Sequence, residues 1–107
     1  MSTPVTIVLP TLDEREHITD CLDSLLAQDY PAIEEILVVD GGSKDGTQEL
    51  AARRGGPVRV VANPKVTAAA AMNAGIAAAG TDVIVRADAH TLYAPDFVSR
   101  CVEVLET

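Results

Sequence analysis

Apolar residues along the chain concentrate in four short runs, and a segment with helical spacing follows each of them. The runs cover residues 5–10, 34–40, 58–63 and 82–88. They are rich in Val and Ile and nearly continuous, without strict alternation of apolar and polar positions. Strands of this kind are typical of a parallel sheet that helices cover on both faces.

The segment after the first run has the clearest helical pattern. Residues 14–28 place five apolar side chains on one stripe of a helix, which are Ile18, Cys21, Leu22, Leu25 and Leu26. A capping box of Thr11 with Glu14, or of Asp13 with Glu16, is predicted at its start.

Three more helices are predicted after the other runs. Residues 43–55 contain a polar turn and a short helix that Gly55 ends. Residues 66–80 form an alanine-rich helix, in which Gly75 indicates that another element packs closely. Residues 94–106 form the last helix, with Pro95 at its first position.

The regular alternation of strand and helix predicts the fold class. No repeat or linker interrupts the 107 residues, so we expect one α/β domain. Its core is a Rossmann-like, mostly parallel sheet with helices on both faces. Ligands of such sheets bind at the carboxyl ends of the strands, which predicts where a functional site lies.

The charge balance limits the partners of this domain. Eight basic and 16 acidic residues give a net charge of −8, which repels nucleic acid. An anionic small ligand needs a metal ion, a helix N-terminus or isolated basic residues. The chain shows neither a signal peptide nor a membrane span, and Cys21 and Cys101 match no metal or redox spacing. These features predict a cytoplasmic protein.

Polar residues gather after the predicted strands. Asp13 and Glu14 follow the first strand, and each is also suited to cap the next helix. Asp45, before Gly46, mainly predicts a turn and a helix start. Asp40 is harder to explain structurally, because it ends an apolar strand just before a glycine turn. There a carboxylate can accept hydrogen bonds from a ligand.

Asp88 and His90 follow the fourth strand with one residue between them. In an extended segment both side chains project to the same side and can reach one metal ion. A carboxylate with an imidazole suits Mn²⁺, whereas oxygen ligands alone favour Mg²⁺. The pair is therefore a candidate metal site.

Three stretches together resemble the N-terminal half of the family-2 glycosyltransferases, which have the GT-A fold. They are "VTIVLPTLDE", "EEILVVDGGSKDGT" and "NAGIAAAGTDVIVRADAH", in the family's order and across almost the whole chain. The ending "VRADAH" with "YAPDFV" resembles the bacterial branch that makes succinoglycan-type exopolysaccharides. The resemblance implies an inverting transferase that uses a UDP- or GDP-linked sugar as donor.

The resemblance also implies roles for individual residues. Pro10 and Thr11 would line the base pocket, and Glu14 would lie close to the nucleotide. Asp40 would bind the base or the ribose. Asp88, as the first residue of the family's metal motif, would hold an Mn²⁺ or Mg²⁺ ion against the donor diphosphate.

Four positions depart from the usual family pattern. Leu12 stands where an aromatic residue often stacks on the base, and Asp13 replaces a common asparagine. Met72 takes the place of an arginine that many members carry. His90 replaces a second aspartate, as in some members of the exopolysaccharide branch.

The resemblance implies that residues 1–107 are the donor-binding portion, with the acceptor half absent. The general base is then expected beyond Thr107, and the isolated chain is expected to be nearly inert. An unpaired sheet edge and apolar helix faces predict self-association. A full-length protein is expected in the cytoplasm. A position at the cytoplasmic face of a membrane is one option within that expectation.

Two alternatives remain open at this point. One is a non-catalytic nucleotide-binding or interaction module. The other is a receiver-type signalling domain, which is weaker because the third strand is followed by Asn63, Pro64 and Lys65 without the required aspartate. A fifth strand is also missing from the pattern.

Overall fold

The computed structural model describes residues 2–63, 65 and 67–106, in which four strands form one parallel sheet. The strands are β1 (Val5–Thr11), β2 (Ile33–Asp40), β3 (Val58–Ala62) and β4 (Val83–Arg86). Their order in the sheet is β3-β2-β1-β4, and each neighbouring pair is parallel. The predicted fold class is therefore confirmed.

Four helices alternate with the strands and cover both faces of the sheet. They are α1 (Ile18–Leu26), α2 (Thr47–Arg54), α3 (Ala68–Ala78) and α4 (Phe97–Glu106). Alternate residues of β1 enter different cores: Ile7 packs with residues of α1, α2 and α4, whereas Val8 packs with Ala71 of α3. None of the helices in the described part of the chain is long and apolar enough to cross a membrane.

The predicted starts of two helices are wrong. α1 begins at Ile18 behind His17, whose side chain makes no capping bond. Neither predicted capping box forms, because the Thr11 hydroxyl donates to Asp40 and the Asp13 carboxylate accepts from the N–H of Lys44. α4 begins at Phe97, two residues after Pro95.

A side chain from the segment that follows α1 explains the start of α4. The Oε1 atom of Gln28 accepts a hydrogen bond from the backbone N–H of Val98 at 2.9 Å, and its Nε2 donates to the carbonyl of Ala94 at 2.7 Å. Gln28 lies about 70 positions earlier in the chain, so local sequence carries no sign of this cap.

The close packing predicted at Gly75 is confirmed. This residue is buried in α3 against the central strand β1. A Cβ atom at this position would lie 2.5 Å from Cγ1 of Val8, well inside contact distance. Glycine therefore lets α3 approach the sheet.

Candidate functional site

The carboxyl ends of the strands meet at one edge of the sheet, as the topology requires. Thr11 lies opposite Asp40, and Asp40 lies opposite Ala62, so the ends of β1, β2 and β3 are level. A cleft of about 210 Å³ opens beside this edge. Its lining residues are Pro10, Thr11, Leu12, Glu14, Asn63, Thr67, Ala68, Ala71, Arg86, Asp88, Ala89 and His90.

Most of the predicted site residues share this cleft. Pro10, Thr11, Glu14, Asp88 and His90 all line it, although they come from two separate parts of the sequence. The structure thus brings together the residues that the sequence placed after β1 and after β4.

Asp40 lies beside the cleft but does not line it, because its carboxylate is buried among protein donors. Its Oδ1 accepts from the hydroxyls of Thr11 and Ser43 at 2.7 and 2.5 Å. Its Oδ2 accepts from the backbone N–H groups of Gly42 and Ser43 and from Nε2 of Gln48. Only 2% of the residue is exposed. In this conformation Asp40 organises the loop, and its contact with a base or ribose stays a prediction.

These bonds keep Asp40 ionised. Burial by itself raises the pKa of this carboxyl, but hydrogen bonds from Ser43, Gln48 and Thr11 outweigh burial and leave the pKa below its ordinary value. The buried negative charge is therefore stabilised by donors that the loop supplies.

The loop after β1 is attached to the loop after β2. The backbone N–H of Asp13 donates to Ser43, and its carboxylate accepts from the N–H of Lys44, both at 2.8 Å. The N–H of Glu14 donates to the hydroxyl of Thr47 at 2.9 Å. Asp13 has a φ of 51°, a left-handed conformation that Asp and Asn adopt more readily than other side chains. This backbone conformation suits either residue at this position.

Asp45 has the structural role that its sequence context predicted. Its Oδ1 accepts from the backbone N–H of Thr47 at 3.0 Å and from the Thr47 hydroxyl, next to Gly46 with a φ of 97°. The hydroxyl bond is the main reason that the pKa of Asp45 lies below its ordinary value. Asp45 therefore stabilises the start of α2.

Glu14 and His90 form a close pair within the cleft. Oε2 of Glu14 lies 3.0 Å from Nδ1 of His90, and the Glu14 side chain is 12% exposed. This contact has ion-pair distance but not hydrogen-bond geometry, so the buried Oε2 keeps unused acceptor capacity. The ring of His17 contacts that of His90 edge-on, with centroids 5.4 Å apart.

The segment that carries Asp88 and His90 is a turn, so the extended geometry predicted for it is wrong. β4 ends at Arg86, and the N–H of Thr91 donates to the carbonyl of Asp88 at 3.2 Å. The Asp88 N–H donates to the hydroxyl of Tyr93 at 2.6 Å. Both side chains nevertheless line the same cleft.

Cys21 lies directly behind this turn. Its thiol donates to the carbonyl of Asp88 at 3.4 Å. Burial, with smaller contributions from the charges of Asp88 and Glu14, raises the pKa of Cys21 to about 11. The thiol therefore stays protonated at neutral pH and has a packing role.

The side chains in the cleft supply only some of the ligands that a divalent ion needs. Within the described part of the chain, no three His, Cys, Asp or Glu side chains form a group that could hold a metal. Asp88 and His90 offer one carboxylate and one imidazole. Hard divalent ions commonly complete such a set with substrate phosphate and water. The residues fit an ion that is shared with an anionic ligand.

Sequence reasoning missed two polar cleft residues, Thr67 and Arg86, and noted Asn63 only as a residue that follows the third strand. Asn63 is buried and partnered, since its Nδ2 donates to the Thr67 carbonyl and its Oδ1 accepts from the Lys65 N–H. Arg86 did leave a signal in the sequence, because it is a charged residue at the end of an otherwise apolar strand.

Comparisons with known proteins agree with this geometry. The sequence profile described as Glycosyl transferase family 2 matches residues 6–107. The succinoglycan biosynthesis protein ExoA of Rhizobium meliloti is 38% identical over 107 aligned positions, and the alignment covers 95% of this chain and 32% of ExoA.

Two solved structures are similar over nearly the whole chain. The mannosyltransferase PcManGT of Pyrobaculum calidifontis, in complex with GDP-Man and Mn²⁺, has a TM-score of 0.85 and 28% identity, covering 100% of this chain and 33% of that one. Glucosyl-3-phosphoglycerate synthase of Mycobacterium tuberculosis, in complex with Mn²⁺, UDP and glucosyl-3-phosphoglycerate, has a TM-score of 0.82 and 30% identity, covering 98% and 40%.

The chain spans about a third of the length of the curated relatives that it matches along its full extent. Within that third, the family profile, the relatives and the parallel sheet with its cleft all agree. The chain belongs to glycosyl transferase family 2.

Proposed function

We propose that this chain binds a UDP- or GDP-linked sugar in the cleft, as the donor portion of an inverting glycosyltransferase that builds a polysaccharide or glycan. The observation that carries the proposal is the single cleft that gathers Pro10, Thr11, Glu14, Asp88 and His90 at the carboxyl edge of the sheet. The complexes of similar proteins with UDP or GDP-Man support a nucleotide-sugar ligand.

Each residue has a proposed place around the ligand. Pro10 and Thr11 line the base pocket, where Leu12, 44% exposed, offers an apolar contact to the base. Asp40 lies directly behind Thr11 and contacts the base or ribose once a donor such as Gln48 moves away.

A divalent cation, Mn²⁺ or Mg²⁺, is proposed between Asp88 and the diphosphate. When bound, such an ion neutralises the diphosphate and stabilises it as a leaving group. Asp88 supplies a carboxylate for it, and His90 supplies an imidazole held beside Glu14. A chain with a net charge of −8 benefits from a positive ion at an anion site.

The acceptor site and the general base are proposed to belong to the remainder of a longer protein. The curated relatives are about three times the length of this chain. On this proposal, residues 1–107 bind the donor and do not complete the transfer by themselves.

Calorimetric titration of UDP and of GDP, with and without Mn²⁺, tests the proposed function. We expect one nucleotide to bind the wild-type chain at least 10-fold more tightly with Mn²⁺ than without it, because the ion bridges carboxylate and diphosphate. Asp88→Ala is expected to abolish this difference.

Asp82→Ala is the matched control, since it removes the same charge from an exposed position outside the cleft. It should keep the full effect of Mn²⁺. An Asp88→Ala protein that folds and still gains affinity from Mn²⁺ would contradict the metal role of Asp88.

A non-catalytic nucleotide-binding module is the second candidate, since a cleft lined by Thr11, Glu14 and Asp88 accounts for nucleotide binding without a transfer step. An assay of a longer protein that contains this domain distinguishes the two candidates. Transfer of sugar from a bound donor would exclude the non-catalytic module. Membership of family 2 removes the support for a receiver-type domain.

Cytoplasmic location and self-association also stay proposals. Self-association is supported by three exposed apolar side chains at or near α4, Leu92, Val104 and Leu105. We expect the apparent mass in sedimentation to rise with protein concentration, because exposed apolar patches favour association. An unchanged monomer mass at every concentration would contradict it.

A further inference from the structure

Arg86 is an exposed cation in the cleft whose side chain has no partner among the described residues. It is the last residue of β4, and it makes no ion pair within 4.0 Å with any described residue. Among the described lining residues it is the only arginine or lysine. Its guanidinium is charged at every physiological pH.

Most other arginines of the described chain have partners. Arg54 pairs with Asp23, Arg59 lies near Glu35, and Arg100 pairs with Asp96. Arg15 donates to the carbonyl of Asp45 at 3.0 Å. Arg86 thus differs in lining a cleft while pairing with none of the residues that the structure describes.

The position of Arg86 in the sheet directs it toward the α3 side. Its neighbour Val85 belongs to the larger core with α1 and α4, and successive residues of a strand face opposite sides. Arg86 lies opposite Val8, which packs against Ala71 of α3, and Ala71 also lines the cleft. The cation therefore stands at one wall of the cleft.

The cleft otherwise repels anions. Glu14 and Asp88 line it, and the chain as a whole has a net charge of −8. Met72 is uncharged and packs against the smaller core, so it does not offset these negative charges. A phosphate-bearing ligand therefore needs a cation at this wall as well as any metal ion.

We propose that Arg86 binds the diphosphate of the nucleotide ligand and determines the preference of the cleft for phosphorylated ligands. The planar guanidinium can donate two parallel hydrogen bonds to phosphate oxygens, which lysine cannot do. This inference rests on the proposed function for the nucleotide part of the ligand. The contact between Arg86 and phosphate is independent of the base.

Calorimetric titration of wild type, Arg86→Gln, Arg86→Lys and Arg53→Gln with three probes tests the proposal. The probes are UDP with Mn²⁺, uridine with Mn²⁺, and inorganic pyrophosphate without metal. Arg53→Gln is the matched control, because Arg53 is an exposed arginine of α2 that does not line the cleft. Circular dichroism verifies that each variant is folded.

Arg86→Gln is expected to weaken the binding of UDP and pyrophosphate about 10-fold or more, and Arg86→Lys by less, since lysine keeps the charge but not the fork. Uridine affinity should be the same for all four proteins, and Arg53→Gln should match wild type with every probe. Raising NaCl from about 50 to 300 mM should reduce the difference between wild type and Arg86→Gln, because salt screens exposed charges.

The outcomes separate this inference from the proposed function. If wild type binds UDP and Arg86→Gln binds it equally well, the inference is wrong and the proposed function stands. If wild type binds pyrophosphate through Arg86 but neither UDP nor GDP, the phosphate contact stands and the nucleotide proposal is wrong. If wild type binds none of the probes, both are wrong.

Discussion

Replacing Asp40 with alanine is expected to lower the free energy of unfolding by about 3 kcal/mol, because buried donors lose their acceptor. Five hydrogen bonds converge on this carboxylate from Thr11, Gly42, Ser43 and Gln48. The hydroxyl of Thr11 is buried, so without the carboxylate it is left without an acceptor. Urea unfolding followed by circular dichroism measures the loss.

Asp40→Asn separates the shape of this side chain from its charge. The amide keeps one acceptor oxygen but places an NH₂ group among donors, so we expect a loss of about 1–3 kcal/mol. Asp20→Ala, at an exposed position of α1, is the control and should change stability by less than about 0.5 kcal/mol. A loss no larger for Asp40→Ala than for Asp20→Ala would contradict the structural role of Asp40.

The stabilisation by Asp40 is expected to depend on pH in a defined direction. The pKa of Asp40 is lower in the folded chain than the ordinary value of about 3.9 for an unfolded aspartate. Its contribution is therefore complete above about pH 5 and is lost as the pH falls through the folded pKa. The difference in stability between wild type and Asp40→Asn should shrink on acidification below about pH 4, measured by urea unfolding at several pH values. A constant difference down to about pH 2 would contradict it.

Gly75→Ala is expected to destabilise the chain by about 2 kcal/mol, since overpacking a well-filled core costs about 1–3 kcal/mol. In an exposed helix interior the same change stabilises by about 1 kcal/mol, so the expected sign is opposite to helix propensity. The cause is Val8, fully buried in the central strand, whose Cγ1 would lie 2.5 Å from the new Cβ. Thermal and urea unfolding both measure the effect.

Two further variants test the cause. Gly80→Ala meets only Glu35 Oε1, at the ordinary contact distance of 3.5 Å, and should change stability by less than about 0.5 kcal/mol. In a double-mutant cycle with Val8→Ala, which removes the clashing methyl groups, Gly75→Ala should cost much less than in wild type. Equal costs in both backgrounds would show that the clash is not the cause.

The sequence predicted the elements well where one physical signal dominated. Continuous apolar runs showed the four strands, since a strand buried on both faces leaves no polar side. Gly75 indicated close packing, and Gly55 correctly ended α2. The predicted starts of α1 and α4 were wrong because backbone groups near them bond to distant residues. The N–H of Glu14 donates to Thr47, and the N–H of Val98 donates to Gln28.

The sequence by itself also determined which edge of the sheet carries the candidate site. Order of elements and polar strand ends were sufficient to place Thr11, Asp40 and Asp88 at one edge, because parallel strands align their carboxyl ends. Resemblance in three ordered stretches was sufficient for the family, which the matching profile confirms.

Only the tertiary structure decided which of these residues line the cleft. It buried Asp40 among five hydrogen bonds, paired Glu14 with His90 and replaced an extended segment by a turn at Asp88. It also placed Arg86 in the cleft with no ion pair to another described residue. The partner of Glu14 lies far away in the sequence, at His90, and Asp13 is bonded to Ser43, 30 positions later. Local sequence determines the conformation of a segment, whereas the partner of a side chain depends on which other segments the fold brings beside it.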